Sequence, residues 1–191
     1  MLEELVRKNR SIRRFHQNEA IPTSTLKDLV NLARLSASGG NLQPLKYIIS
    51  NTAETNAEIF ACLVWAGYLK DWRGPSEGER PSAYIIMLVD TTIHKDPSVD
   101  QGIAAQSIML GAAEKGIGGS IIGSIDREKI RTTFDIPKEY DVSIILGLGK
   151  PKEKVVIDEM KADKDHRYWR DENNVHHVPK RKLEDIIISI K

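Results

Sequence analysis

The sequence predicts a mixed α and β fold in a single domain spanning residues 1–191. Three observations carry this. Apolar, strand-like runs alternate with stretches of helical periodicity along the chain. The 191 residues match the length of one ordinary domain. Apolar residues at 40% against charged residues at 29% supply enough apolar surface for a core, which a disordered chain lacks. Aromatics make up only 6%, so that core must be built from Ile, Leu, Val and Ala. Taken by itself, the spacing of the elements favours parallel strands.

The elements follow in order. Leu2, Leu5 and Val6 mark a short first helix. Leu26, Leu29, Val30 and Ala33 lie at helical spacing, with Thr23 or Ser24 as N-cap and a stop at Ser38-Gly39-Gly40. Tyr47-Ile48-Ile49 reads as a strand, and Ala57 to Val64 as a helix. Trp65 to Pro81 carries three glycines and two prolines and reads as a loop, long enough to suggest a function. Ala83 to Asp90 is a buried strand. Asp100 to Lys115 is apolar around much of its girth, so it is expected as a central helix ended by Gly116. A Gly-rich turn and short strand follow from Gly118 to Ile125. Asp126 then caps a helix through Arg131, and Val142 to Leu148 forms another strand. Tyr168–Arg170 and Val175–His177 flank Asp171–Asn174 as a hairpin. The apolar tail Leu183–Ile190 requires cover from its own domain or from a partner.

Charge and composition narrow the function. The 28 basic and 27 acidic residues leave a net charge of +1, without the basic excess of a general nucleic-acid binder. The longest apolar run, Tyr84–Val89, falls far short of the about 20 residues of a membrane helix. The start Met1-Leu2-Glu3-Glu4-Leu5 lacks the pattern of a signal peptide, and Cys62 has no intramolecular disulfide partner. Both favour a reducing, cytoplasmic setting. The five histidines show no metal-ligand spacing, and no G-x-S-x-G elbow is present.

Four segments can carry chemistry. Arg10, Ser11, Arg13 and Arg14 place forked guanidinium donors around one hydroxyl, suited to phosphate oxygens or simply to a solvated basic turn. Ser36–Pro44 combines glycines that let backbone approach a ligand with the amides of Asn41 and Gln43. It reads equally as a helix end and turn. Gly116–Ser124 is glycine-rich but lacks the Lys-Ser/Thr of a Walker loop and also suits a tight packing turn. Pro179-Lys180-Arg181-Lys182 is a basic cluster that serves equally as solvated surface.

Together, in this order, the four segments resemble the nitroreductase family of FMN-dependent oxidoreductases. Arg10-Ser11-Ile12-Arg13-Arg14-Phe15 is similar to the family's R-S-x-R-x-F signature, and Ser36–Pro44 to its S-x-x-x-N-x-Q-P segment. Gly116–Ser124 resembles the turn under the flavin, and Pro179-Lys180-Arg181 the basic pair that returns to the phosphate. Leu45 departs from the pattern, since many members place Trp after the Gln-Pro pair.

The resemblance implies an α+β fold: a mixed, mainly antiparallel sheet packed between helices, in an intertwined homodimer with FMN at the interface. It implies that Arg10, Ser11, Arg13 and Arg181 hold FMN. It places Ile121, Ile122 and Gly123 along its ring, with Ser38, Asn41 and Gln43 contributed by the other subunit. Tyr68 and Trp72 would border the substrate channel. NAD(P)H would deliver a hydride to flavin N5, and a small oxidised acceptor would then replace it in ping-pong exchange. Arg13 would stabilise the charge of the reduced flavin, with no protein nucleophile. Dehalogenation, flavin consumption, and a store or sensor without turnover are the alternatives on the same fold.

Overall fold

A computed structural model describes residues 1–96, 98–161 and 165–191. In chain order the elements are α1 (Leu2–Lys8), β1 (Phe15–His16), α2 (Thr23–Leu35), β2 (Leu45–Ser50), α3 (Ala53–Phe60), β3 (Ala83–Asp90) and α4 (Ser98–Glu114). There follow β4 (Gly118–Ile122), α5 (Arg127–Thr133), β5 (Tyr140–Pro151), β6 (Val155–Glu159), β7 (Trp169–Arg170) and β8 (His176–Lys180). The long loop expected over Trp65–Pro81 is present but starts earlier, because α3 ends at Phe60 and not at Val64, so residues 61–82 join α3 to β3.

Strand β3 is the spine and is buried along its whole length. It pairs antiparallel with β2 on one side and β5 on the other. The twelve-residue β5 also pairs antiparallel with β4 and, at its end, with β1. The expectation of parallel strands from spacing alone is therefore overturned, and the antiparallel α+β reading holds. The reason is topological. Strands β3 and β4 both run opposite to β5, so α4 does join two strands of the same direction. Strand β5, later in the chain, inserts between them. The parallel pair β6–β8 lies in a second, small sheet, and β7 pairs antiparallel with β8 as the expected hairpin.

Alternation along β3 sends side chains into two cores. Ala83, Ile85 and Met87 pack with Leu26 and Leu29 of α2 and Ile108 and Met109 of α4. Tyr84, Ile86 and Leu88 pack on the other face with Ile59, Ile130 and Ile145. Helices α2 and α4 come so close that a Cβ on Gly111 would lie 2.2 Å from Leu32 Cδ1.

Helix ends shift from their expected positions by a few residues. Helix α2 starts at Thr23 with Pro22 as N-cap, not Thr23 or Ser24, because the proline ring presets the entry angle. It ends at Leu35, before the glycines, where the Ser36 hydroxyl donates to the Leu32 carbonyl at 2.8 Å. Helix α3 begins four residues earlier than expected, capped by the Thr52 hydroxyl, which accepts from Thr55 N. Asp126 caps α5 as expected, accepting from Lys129 N at 3.1 Å. Leu183, Ile186, Ile187, Ile188 and Ile190 of the tail are exposed on the single chain. No helix among the described residues is long and apolar enough to cross a membrane.

Candidate functional site

The segment after α1 is held against the sheet by backbone bonding. Ser11 bridges to Gly119, and Ile12 N donates to the Gly119 carbonyl at 2.8 Å. A Cβ on Gly119 would lie 2.7 Å from Leu148 Cδ2 and 2.9 Å from the Gly147 carbonyl, so only glycine lets the strand approach this closely. This contact aims Arg10, Ser11 and Arg13 into a cleft of about 180 Å³.

The cleft has a cationic side and an apolar side. Arg10, Arg13 and Lys180 supply positive charge, and Ser11 adds a hydroxyl. Met109 of α4, Ile121 of β4 and Val178 of β8 supply apolar surface. Arg10 Nη2 donates to the Val6 carbonyl at 2.7 Å, while its buried Nε has no partner among the described residues. Burial lowers the pKa of Arg10, yet a guanidinium stays protonated.

Arg13 is the most constrained cation. Its guanidinium lies 4.5 Å over the Tyr168 ring, and Nη1 is 3.1 Å from His176 Nε2. A guanidinium can only donate, so Nε2 accepts and the neutral imidazole carries its proton on Nδ1. That Nδ1 is buried and has no partner among the described residues. Burial first, then the charges of Arg13 and Arg170, hold the His176 pKa down at about 4. The Glu153 side chain, fully buried, is the counter-charge. It accepts from the Arg13 backbone N–H and, at 2.9 Å, from Arg170 Nη2.

The other predicted residues lie elsewhere in the single chain. Ser38 donates to Asp100 of α4, whose carboxylate also accepts from Gly39 N at 2.8 Å. Gln43 N donates to Ser38 Oγ at 2.9 Å. Gly40, Asn41 and Gln43 all have φ near +55°. Glutamine rarely adopts that conformation, and such strain gathers at functional sites. Ser38 and Gln43 line a second cleft of about 220 Å³, beside Leu45 and the start of α4, and Asn41 is exposed nearby. Ile122 is buried in the core, and Gly123 is exposed just beyond β4. Tyr68 and Trp72 do not line the first cleft. Tyr68 packs 5.1 Å from the Tyr168 ring, and Trp72 lies under the Arg170 guanidinium at 4.4 Å. Arg181 is exposed outside the cleft, and its neighbour Lys180 lines it instead.

Sequence reasoning missed Tyr168, His176, Val178 and Lys180. The last three stand at alternate positions of β8, so they share one face. That alternation was the available signal. Among the described residues no group of three His, Cys, Asp or Glu side chains could hold a metal. Cys62 is buried, and burial raises its pKa. What the cleft does offer is cationic donors and unpartnered N–H groups beside an apolar wall. This donor set fits a phosphate joined to a flat ring.

The sequence model of the Nitroreductase family matches residues 6–150. A protein of Archaeoglobus fulgidus, named as a candidate NADH dehydrogenase/NAD(P)H nitroreductase, is 25% identical over 159 residues, covering 79% of this chain and 86% of its own. An iodotyrosine deiodinase of Thermotoga neapolitana is 24% identical over 168 residues, covering 79% and 89%. A candidate nitroreductase of Exiguobacterium sibiricum, solved in complex with FMN, superposes with a TM-score of 0.66 at 19% identity, covering 80% of this chain and 89% of that one. The family model spans most of the chain, both cores and the cationic segment that enters the cleft, and so the chain belongs to the nitroreductase family.

Proposed function

We propose that this protein is an FMN-dependent NAD(P)H oxidoreductase that reduces a small oxidised acceptor such as a nitroaromatic or quinone. One observation carries the reading: Arg10, Ser11, Arg13 and Lys180 converge on a cleft whose other wall is Met109, Ile121 and Val178. When bound, FMN supplies the redox chemistry by accepting a hydride and passing it on. The chain's part is to hold and orient. Arg10 and Lys180 neutralise the phosphate, with its oxygens matched to the forked guanidinium donors. Arg13 keeps a fixed positive charge beside the ring, where reduction adds negative charge. Glu153 and His176 hold Arg13 in place. No protein group is required to transfer a proton. The same site would suit a halogenated aromatic as acceptor, a second reading favoured by the likeness to the deiodinase.

The proposal includes a homodimer. The Arg10–Arg13 cleft and the Ser38–Gln43 segment form separate sites in one chain. A second copy would let Ser38, Asn41 and Gln43 of one subunit serve the cofactor of the other. The exposed apolar tail supplies surface for such a contact.

The test is the visible absorption spectrum of the purified protein, followed by anaerobic addition of NADH or NADPH. The expected result is a bound flavin spectrum that bleaches with one donor and returns with a nitroaromatic or quinone. Iodotyrosine restoring the colour while those acceptors do not would select the dehalogenase reading. A flavin that stays oxidised with both donors would overturn the NAD(P)H reductase. Failure to bind FMN at all would overturn the cofactor assignment.

A further inference from the structure

A third cavity lies against α3 and is lined by Asn56, Ala57, Arg80 and Ser82, apart from the cationic cleft. Its volume is about 260 Å³. Two polar atoms of its lining residues are buried without partners among the described residues: Arg80 Nε and Ser82 Oγ. Ser82 is only 6% exposed. Two unpartnered groups on one cavity wall are uncommon in a folded protein, where buried polar groups nearly always find partners.

The donors define the missing partner. Arg80 Nε can only donate, and the Ser82 hydroxyl can donate. Together they ask for oxygen acceptors. Neighbouring polar groups are already engaged: Asn56 donates to the Ser82 carbonyl and accepts from Ser50, and Gln17 Oε1 accepts from Gly78 N and Arg80 N. The Arg80 guanidinium is fixed over the Phe60 ring at 4.2 Å, so it is pre-aimed. Ala20, Ala53, Ala57 and Pro81 add short apolar surface.

One carboxylate already stands at this place. Glu77 pairs with Arg80 Nη1 at 2.7 Å and accepts from Gln17 Nε2 at 2.8 Å, yet its side chain is 72% exposed. Such exposed pairs are weak. Glu77 occupies one edge of the guanidinium and leaves Nε, part of the other edge, unused.

We propose that this cavity binds a small aliphatic carboxylate, with Arg80 and Ser82 as its donors and Glu77 as an internal competitor. The site is independent of the flavin reading, since it shares no lining residue with the cationic cleft.

The test is isothermal titration calorimetry of the purified protein with sodium butyrate, using 1-butanol as the neutral control. Butyrate is expected to bind and butanol not. Glu77→Gln should tighten butyrate severalfold by removing the competing charge, a gain that no folding defect mimics. Arg80→Gln, and separately Ser82→Ala, should weaken it by about tenfold, the scale of one hydrogen bond to a charged group. No butyrate heat with either the native protein or Glu77→Gln would overturn the proposal. So would butanol binding as well as butyrate, or affinity indifferent to Glu77 and Arg80.

Discussion

At the scale of single residues, the arginines of one short segment do different work. Arg10 and Arg13 face the cleft, whereas Arg14 turns away to Glu79, with Nε–Oε2 at 2.6 Å and Nη2–Oε1 at 2.7 Å. That fork, then Lys152 at 3.0 Å, holds the Glu79 pKa at about 2, against the usual carboxylate value near 4.5. A carboxylate with a lowered folded-state pKa stabilises the fold above its unfolded pKa, and that contribution disappears as the pH falls through the folded value. Thermal melts of the native protein and Glu79→Gln should therefore differ most above about pH 5 and converge toward pH 2. A gap that stays constant over that range would show that the pair does not stabilise the fold through its charge. The functional contrast lies between Arg10 and Arg7. Arg7 is exposed and, among the described residues, pairs only with Glu3 of its own helix. Arg10→Ala should weaken FMN retention by about tenfold or more, the loss of a charge-assisted fork. Arg7→Ala should leave it unchanged, and equal FMN affinities in the two variants would remove Arg10 from the phosphate site.

At the scale of elements, what was legible in the sequence follows the range of the physics involved. The apolar run of β3 and the apolar girth of α4 are local patterns, and both elements lie where the sequence puts them. The insertion of β5 between β3 and β4 depends on pairing across more than twenty residues, which no local period encodes. Strand β6 escaped notice because Val155-Val156-Ile157 is short and sits among lysines and acids. Of the residues that line the cleft, Arg10, Ser11, Arg13 and Ile121 lie in segments that the sequence singles out, although the segments alone read equally as surface or turn. That Lys180 and not Arg181 lines the cleft is a matter of register, since a one-residue step along a strand reverses the face. Gly119 joins the two levels. It lets β4 approach β5 and accepts the bond that fixes Ile12 between Ser11 and Arg13. Gly119→Ala must displace Leu148, the Gly147 carbonyl or Met109, whose Cε would lie 3.0 Å away. It should cost about 1–3 kcal/mol in urea unfolding, the usual range for overpacking. Because the same shift moves Arg10 and Arg13, FMN affinity should fall with it. Lost stability with undiminished FMN affinity would show that the cleft tolerates movement of β4.

At the scale of the whole molecule, the single chain leaves two needs unmet, and a second copy would meet both. The tail presents Leu183, Ile186, Ile187, Ile188 and Ile190 to solvent, and Ile188 is fully exposed. A contiguous apolar tail of this kind marks an interaction surface. The Arg10–Arg13 cleft, at about 180 Å³, is also smaller than the roughly 300–1,000 Å³ of pockets that enclose drug-sized ligands. The residues that would complete it, Ser38, Asn41 and Gln43, stand at or beside another cleft, with Asn41 and Gln43 already in left-handed backbone conformations. If association both covers the tail and completes the site, the two properties must fail together. Ile186→Asp with Ile187→Asp places two charges on the tail without touching either cleft. Sedimentation velocity should show the native protein as a dimer and this variant as a monomer, and the variant's FMN affinity should drop although all the cleft residues are intact. Arg10→Ala should do the reverse, losing FMN while remaining a dimer. A monomeric tail variant that holds FMN as tightly as the native protein would separate the two properties and leave the Ser38–Gln43 segment without a role in cofactor binding.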